Sequence, residues 1–149
     1  MNFELKTLDL AGAIAHSCDA LIVVVMNPFR PDKSPLSEIV TQSMKSGDFE
    51  AKPGKLLQAY RPTGFGCTRL VLVNAGEGAP RHIRQAVAAA TSAVKSASVK
   101  KLVVCFTGAV GMEALRASVS AVADGSYVYT TTKSKPEGRA LANVTFALA

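Results

Sequence analysis

Three continuously apolar runs alternate along the chain with segments in which apolar residues recur every three or four positions. The runs lie at residues 20–26, 70–73 and 102–106, and most of their residues are branched or aromatic. Strands with no polar face are typical of a sheet that helices cover on both sides. The pattern therefore predicts three buried strands in the middle of a layered fold.

Three amphipathic helices are predicted between and after these runs. The first begins at Pro35, with Ser34 as its capping residue, and ends at Gly47. The second is predicted over residues 80–96 and the third over 111–124. The residues that share an apolar face are Leu36, Ile39, Val40 and Met44 in the first helix, Ile83, Val87, Ala90 and Val94 in the second, and Met112, Leu115, Val119 and Val122 in the third.

Further strands complete the predicted sheet. A half-exposed strand is expected at residues 3–7, and others at 56–60, 127–130 and 144–148, with a polar surface loop at 133–138. The strand of the run at 70–73 is expected to extend over residues 68–74. Strands that alternate with helices predict an α/β fold: a three-layer α/β/α sandwich with a mixed, largely parallel sheet. We expect one domain over residues 1–149, and the last predicted strand stands where a domain of a longer polypeptide would end.

Composition narrows the class of protein. Hydrophobic residues make up 48% of the 149 residues and charged residues 19%, which predicts a compact chain and excludes a disordered one. No apolar run approaches the ~20 residues that cross a bilayer, and from the acidic first residues we expect no secretory signal. The three cysteines are widely spaced and form no C-x-x-C pair, so we expect reduced, mostly buried thiols in a cytoplasmic protein without a membrane partner.

Candidate catalytic groups are sparse. His16, Cys18 and Asp19 lie close together, but His82 is the only other histidine, and a zinc site needs three or four ligands. No serine or cysteine has a G-x-S-x-G setting, and the carboxylates are scattered singly. The sequence favours an ordinary turn at residues 16–19, and a Cys–His nucleophilic pair stays open as the alternative. It predicts neither a catalytic centre nor a metal site.

Two glycine-containing loops follow buried strands and lead into helices. Residues 107–111 are the candidate phosphate or nucleotide loop, with Thr107, Gly108 and Gly111 in it. Glycines at such a junction let backbone amides approach a phosphate. The other loop, at residues 74–78, contains Glu77, which would repel phosphate. Neither loop completes G-x-G-x-x-G, and tight turns explain the glycines equally well.

Basic residues suggest a second kind of ligand. The net charge is +6, and basic residues cluster on or just after the second predicted helix. The candidate DNA contacts are Arg81, Arg84, Lys95, Lys100 and Lys101. Such side chains can bind phosphates, although a solvated helix face gives the same pattern. Lys133, Lys135 and Arg139 have the same two interpretations, and the shortage of aromatic residues argues against stacking on single-stranded bases.

Several segments, taken in order, resemble one family. Residues 46–55, S-G-D-F-E-A-K-P-G-K, resemble the G-D-F-x-G-K-x-G-E stretch in the amino-terminal domain of the leucine aminopeptidase (cytosol aminopeptidase) family. Residues 69–76 and 83–86 take the places of the strand, glycine loop and helix that follow in that family. Residues 123–129 and 133–136 resemble its G-A-Y-x-F…Y-K-S-K-P region. The collinear order is more telling than any single motif.

Four positions depart from the family pattern. Ala51 stands where the family often has glycine, and Glu77 lies near a place that is often basic. Val128 and Thr130 replace an aromatic and a polar residue. These changes leave the expected fold intact.

The resemblance implies a macrodomain-like fold that precedes a separate carboxy-terminal catalytic domain. In the family, that second domain holds two divalent metals, Zn²⁺ or Mn²⁺, and removes amino-terminal residues from peptides. Its N-T-D-A-E-G-R segment is absent from these residues, so no catalytic, metal-binding or cofactor-binding residue is carried over. The implied partners are the carboxy-terminal domain, other copies in a hexamer and, as in some bacterial members, DNA. An ADP-ribose-like nucleotide is the alternative ligand.

Overall fold

Six strands form one sheet within residues 2–27, 29–31, 33–94, 99–125 and 141–148, which are the residues that the structure, a computed structural model, describes. The strands are β1 (Asn2–Thr7), β2 (Cys18–Val25), β3 (Leu56–Tyr60), β4 (Cys67–Asn74), β5 (Lys101–Phe106) and β6 (Asn143–Leu148). The sheet order is β1-β6-β5-β2-β4-β3, with every neighbouring pair parallel except β3 and β4. The strand predicted at 127–130 and the loop predicted at 133–138 lie outside the described residues.

The side chains of the central strand β2 alternate between two helical layers. Those of Ala20, Ile22 and Val24 pack in one cluster with residues of α3 (Pro80–Val94) and α4 (Met112–Gly125). Those of Leu21, Val23 and Val25 pack on the other face with residues of α1 (Leu10–Ala15) and α2 (Pro35–Ser46). All six are fully buried, which explains why residues 20–25 of the strand include no polar residue. The predicted three-layer, largely parallel α/β fold is confirmed.

Local signals set the ends of α2 as predicted. The hydroxyl of Ser34 accepts a hydrogen bond from the Ser37 amide at 3.2 Å, which caps the helix next to Pro35. Gly47 ends the helix with a φ of 85°, a left-handed conformation that glycine adopts without strain. The apolar face predicted for α3 is also confirmed, since Ile83, Val87, Ala90 and Val94 are all buried.

Two parts of the helical layers differ from the prediction. Helix α1 was not predicted, because six residues are too few to show a helical period; its cap is Asp9, whose carboxylate accepts a hydrogen bond from the Gly12 amide at 2.7 Å. On α4 the predicted apolar face is wrong at Met112, which is 66% exposed. Met112 is the first residue of the helix, before the turns that reach the sheet at Leu115 and Val122.

Candidate functional site

The carboxyl ends of β2, β4 and β5 meet at one edge of the sheet. The chain passes from β2 to β4 on one side and then crosses back to β5 on the other. Such a reversal of strand order leaves a crevice in which many α/β proteins bind ligands. Here the crevice is bordered by Met26 after β2, by residues 74–78 after β4 and by residues 107–111 after β5. The two glycine loops are therefore brought to the same edge.

Thr107 uses its polar groups to join its loop to β2. Its hydroxyl accepts a hydrogen bond from the Met26 amide at 2.9 Å, and its own amide donates to the Val24 carbonyl at 3.0 Å. These bonds continue the pairing of β5 with β2 by one residue beyond the strands. Thr107 thus has a structural role that does not depend on a ligand.

The side chain of Met26 lies between the two glycine loops. A Cβ atom added at Gly78 would stand 2.8 Å from the sulfur of Met26, and one added at Gly108 would stand 3.0 Å from its Cε atom. A side chain at either glycine would have to displace the end of the Met26 side chain, and Gly78 also has a φ of 92°, which favours glycine. Close packing against Met26 therefore explains both glycines, and the thioether fills space between the loops that a ligand would need.

The rest of the candidate phosphate loop borders an uncharged groove. This groove of about 480 Å³ runs between residues 105–110, the end of β6 and the start of α1. Its lining residues are Leu8, Leu10, Cys105, Phe106, Thr107, Gly108, Ala109, Val110, Ala147 and Leu148. A Cβ atom at Gly111 would meet nothing within 4 Å, so neither packing nor strain requires that glycine. A nucleotide role for Thr107, Gly108 and Gly111 stays a prediction.

Three amides of the loop at residues 74–78 are hydrogen-bonded to other groups of the chain. Asn74 is fully buried, and its side-chain oxygen accepts a hydrogen bond from the Gly76 amide at 2.7 Å. The amide of Ala75 donates to Val25 at 2.9 Å, and that of Gly78 donates to Ala75 at 3.1 Å. Asn74 also donates to the Asn27 side chain at 3.3 Å. This asparagine pair organises the crevice, and its one signal in the sequence was a polar residue directly after an apolar strand.

The candidate DNA contacts fall into two groups, one near the carboxyl ends of the parallel strands and one near their amino ends. Arg81 and Arg84 lie in the first turn of α3, whereas Lys100 and Lys101 lie where β5 begins. Because α3 has 15 residues, its length of roughly 22 Å separates the two groups. Lys95 lies outside the described residues. The four candidate contacts within the described residues thus form two separate groups, and DNA binding stays a prediction.

A carboxylate accompanies each basic group. The Arg84 guanidinium lies 2.8 Å from the Asp124 carboxylate, which links α3 to α4. Asp19 accepts hydrogen bonds from the amides of Lys101 at 2.9 Å and Lys100 at 3.0 Å. Those bonds and the two lysine charges hold the pKa of Asp19 below its usual range. Asp19 therefore joins β2 to β5. The turn predicted at residues 16–19 is confined to residues 16 and 17, with His16 ending α1, because Cys18 and Asp19 already belong to β2.

Burial makes Cys18 a poor nucleophile. Burial, followed by the neighbouring Cys67 and Asp19, raises the pKa of its thiol to about 12. Burial likewise raises the pKa of Cys67 to about 11 and raises that of Cys105. A catalytic cysteine needs the opposite shift, because the thiolate is the reactive form. The Cys–His alternative is therefore not supported, and the predicted buried, unpaired thiols are confirmed.

All three cysteines are expected to resist alkylation in the folded chain at pH 8 and to react in full in denaturant. The unfolded thiols titrate near 9.0, whereas those of Cys67 and Cys18 titrate near 11 and 12 in the folded chain. The neutral, buried thiols contribute fully to stability below pH 9.0. This contribution is lost as the pH rises through the pKa values of the folded chain, because the thiols of the unfolded chain ionise at a lower pH. Mass spectrometry after iodoacetamide treatment, with and without urea, checks the first part. Fast labelling of Cys18 under native conditions would contradict it.

Comparisons with known proteins agree with this fold. The model for the N-terminal domain of the cytosol aminopeptidase family matches residues 31–136. A probable cytosol aminopeptidase of Albidiferax ferrireducens is 53% identical over 148 residues, and one of Acidovorax sp. (strain JS42) is 48% identical over the same length. A solved structure of a tomato leucine aminopeptidase mutant matches with a TM-score of 0.75 at 21% identity, covering 99% of this chain and 32% of that one. That last match shows a shared fold.

These matches define an α/β domain of the aminopeptidase class. The chain belongs to the cytosol aminopeptidase family and corresponds to its N-terminal domain. It spans only 31% and 30% of the length of the two bacterial relatives, although 99% of the chain is aligned with each. None of the helices among the described residues is long and apolar enough to cross a membrane.

Proposed function

We propose that this chain is the non-catalytic amino-terminal domain of a metal-dependent leucine aminopeptidase of the cytoplasm. The match with the bacterial relatives carries the proposal, since 99% of the chain aligns with 31% of a probable cytosol aminopeptidase. The remaining length of such a protein can hold a carboxy-terminal catalytic domain. That domain would remove amino-terminal residues from peptides with the help of two divalent metals, Zn²⁺ or Mn²⁺.

The metals are proposed to lie outside these 149 residues. Among the described residues, no three His, Cys, Asp or Glu side chains are grouped so that they could hold a metal ion. Catalytic zinc sites usually take three protein ligands. The described residues therefore do not fit the metal pair, and we assign them no step of the hydrolysis.

The role that we propose for the domain is to help assemble the enzyme. The resemblance implies a hexamer, and a rigid, closely packed sandwich suits a domain that holds subunits or catalytic domains in place. The likeness to macrodomains that the resemblance implies also stays a prediction, as does an ADP-ribose-like ligand. The thioether of Met26 between the two glycine loops does not favour that ligand.

The isolated chain is expected to show no turnover of leucyl-p-nitroanilide with added Mn²⁺ or Zn²⁺. The full-length polypeptide is expected to show turnover that a chelator abolishes and that added metal restores. Light scattering on both samples measures assembly, and we expect the full-length protein to be the larger oligomer. Chelator-sensitive turnover by the 149 residues alone would overturn the non-catalytic role.

A further inference from the structure

An open apolar groove lies between the edge strand β1 and helix α4. Its volume is about 520 Å³. The lining residues are Phe3, Glu4, Leu5, Leu115, Arg116, Val119, Ser120 and Phe146. Five of the eight lining residues are apolar and three are charged or polar, a composition that fits an interaction site.

The apolar floor of this groove is a continuation of the core. Leu5 lies opposite Phe146 in the sheet, and the Phe3 ring stacks on Phe146 with their centroids 6.3 Å apart. Phe146 is fully buried, yet Phe3 is 41% exposed and Leu5 is 60% exposed. The layer of α3 and α4 therefore covers β6 and stops short of β1. Two large apolar side chains on one side of an edge strand are left facing water.

We propose that apolar side chains from the part of the same polypeptide that follows residue 149 cover this groove. The inference rests on the proposed function, which supplies that further part. In the relatives, a segment equivalent to this chain makes up 31% of the length, so most of the protein is available to supply the cover.

The position of β6 favours this occupant. Leu148, near the end of β6, lies opposite Thr7, and its carbonyl accepts a hydrogen bond from the Leu8 amide at 2.9 Å. A chain that continues past residue 149 thus begins beside the carboxyl end of β1. Leu5 is two strand residues away, or roughly 7 Å. A short tether is enough to bring the following segment to the groove.

The size of the groove favours a tethered segment over a second copy. Eight residues line it, whereas a stable interface between free proteins takes about 20–30 residues on each side. A covalently attached segment binds at an effective concentration in the millimolar range, so a small apolar contact can still be mostly occupied. The same groove would hold a separate copy only weakly.

The test compares the reactivity of one introduced thiol at each edge of the sheet in the full-length polypeptide. Leu5→Cys places a thiol in the groove, and Tyr60→Cys is the matched control on the other edge strand, where Tyr60 is 67% exposed. Each native alkylation rate is divided by the rate in urea, and the labelled peptides are identified by mass spectrometry. We expect Leu5→Cys to react at least about tenfold more slowly than Tyr60→Cys, because the tethered segment covers the groove most of the time. In the 149-residue chain, the two rates are expected to be similar.

Equal rates at both positions in the full-length protein would overturn the proposal. Protection of Leu5→Cys in the 149-residue chain that grows with protein concentration would also overturn it, in favour of a second copy. Leucyl-p-nitroanilide turnover of the same samples separates the two proposals. An active protein with equal thiol rates contradicts the groove alone, and a protected but inactive protein contradicts the proposed function alone.

Discussion

The Gly66→Ala variant is expected to lose about 3 kcal/mol of unfolding free energy, because the new methyl group would overlap backbone atoms. A Cβ atom at Gly66 would stand 2.5 Å from the Ala15 carbonyl oxygen and 2.7 Å from that of His16. These atoms end α1 and cannot rotate aside as a flexible side chain would. The Gly66 amide also donates to Ile14 at 2.9 Å, so the shift would break a hydrogen bond. Urea unfolding followed by far-ultraviolet circular dichroism measures the loss.

Gly111→Ala is the matched control for this variant. A Cβ atom at Gly111 would meet nothing within 4 Å, and its backbone is not left-handed. Gly111 precedes α4 and accepts the helix's first hydrogen bond, from Leu115 at 3.0 Å, so alanine forfeits only a capping preference of about 1 kcal/mol or less. Similar losses for the two variants would show that the contact with α1 is not what requires Gly66.

The layers of the fold were predictable because burial leaves a direct trace in the sequence. A central parallel strand such as β2 needs apolar side chains on both faces, and residues 20–26 show this without interruption. Capping residues fix helix ends locally, as Ser34 and Gly47 do for α2. Helix α1 leaves no comparable trace. Its six residues make one and a half turns, and only the Asp9 cap marks its start.

The candidate site was less predictable because its contacts join segments that are far apart in the sequence. Glycines at residues 74–78 and 107–111 are typical of phosphate loops and of tight packing alike. The sequence could not show that Met26 lies against both loops, nor that Thr107 bonds back to β2. The described candidate DNA contacts lie in two separate groups for a related reason. Arg84 and Lys100 are close along the chain, whereas the length of α3 separates them, so they lie near opposite ends of the parallel strands.

The exposed edge strand β1 is a second feature that the sequence predicts only in part. Alternation in residues 3–7 correctly predicts a strand with one apolar face, but it does not say what covers that face. In the structure α4 covers β6 and leaves Phe3 and Leu5 exposed. The chain matches about a third of the length of the Albidiferax relative. The proposed cover by the remaining polypeptide would therefore explain why these side chains are exposed here.

Met26→Ala is expected to destabilise the chain by about 3 kcal/mol, because it removes a buried thioether and leaves a cavity. Met26 is only 9% exposed, and its sulfur and Cε atoms pack against Gly78 and Gly108. Those glycines have no side chains with which to fill the space that the thioether leaves. Urea unfolding of the variant measures the effect.

Two further substitutions decide whether packing at the crevice is the cause. Met112→Ala removes the same atoms from a side chain that is 66% exposed and is expected to change stability by less than about 0.5 kcal/mol. Met26→Leu keeps most of the volume and is expected to cost less than about 1.5 kcal/mol. If Met26→Ala were as harmless as Met112→Ala, the thioether would not be a structural filler of the crevice. The packing argument against the nucleotide role predicted for Thr107, Gly108 and Gly111 would then be withdrawn.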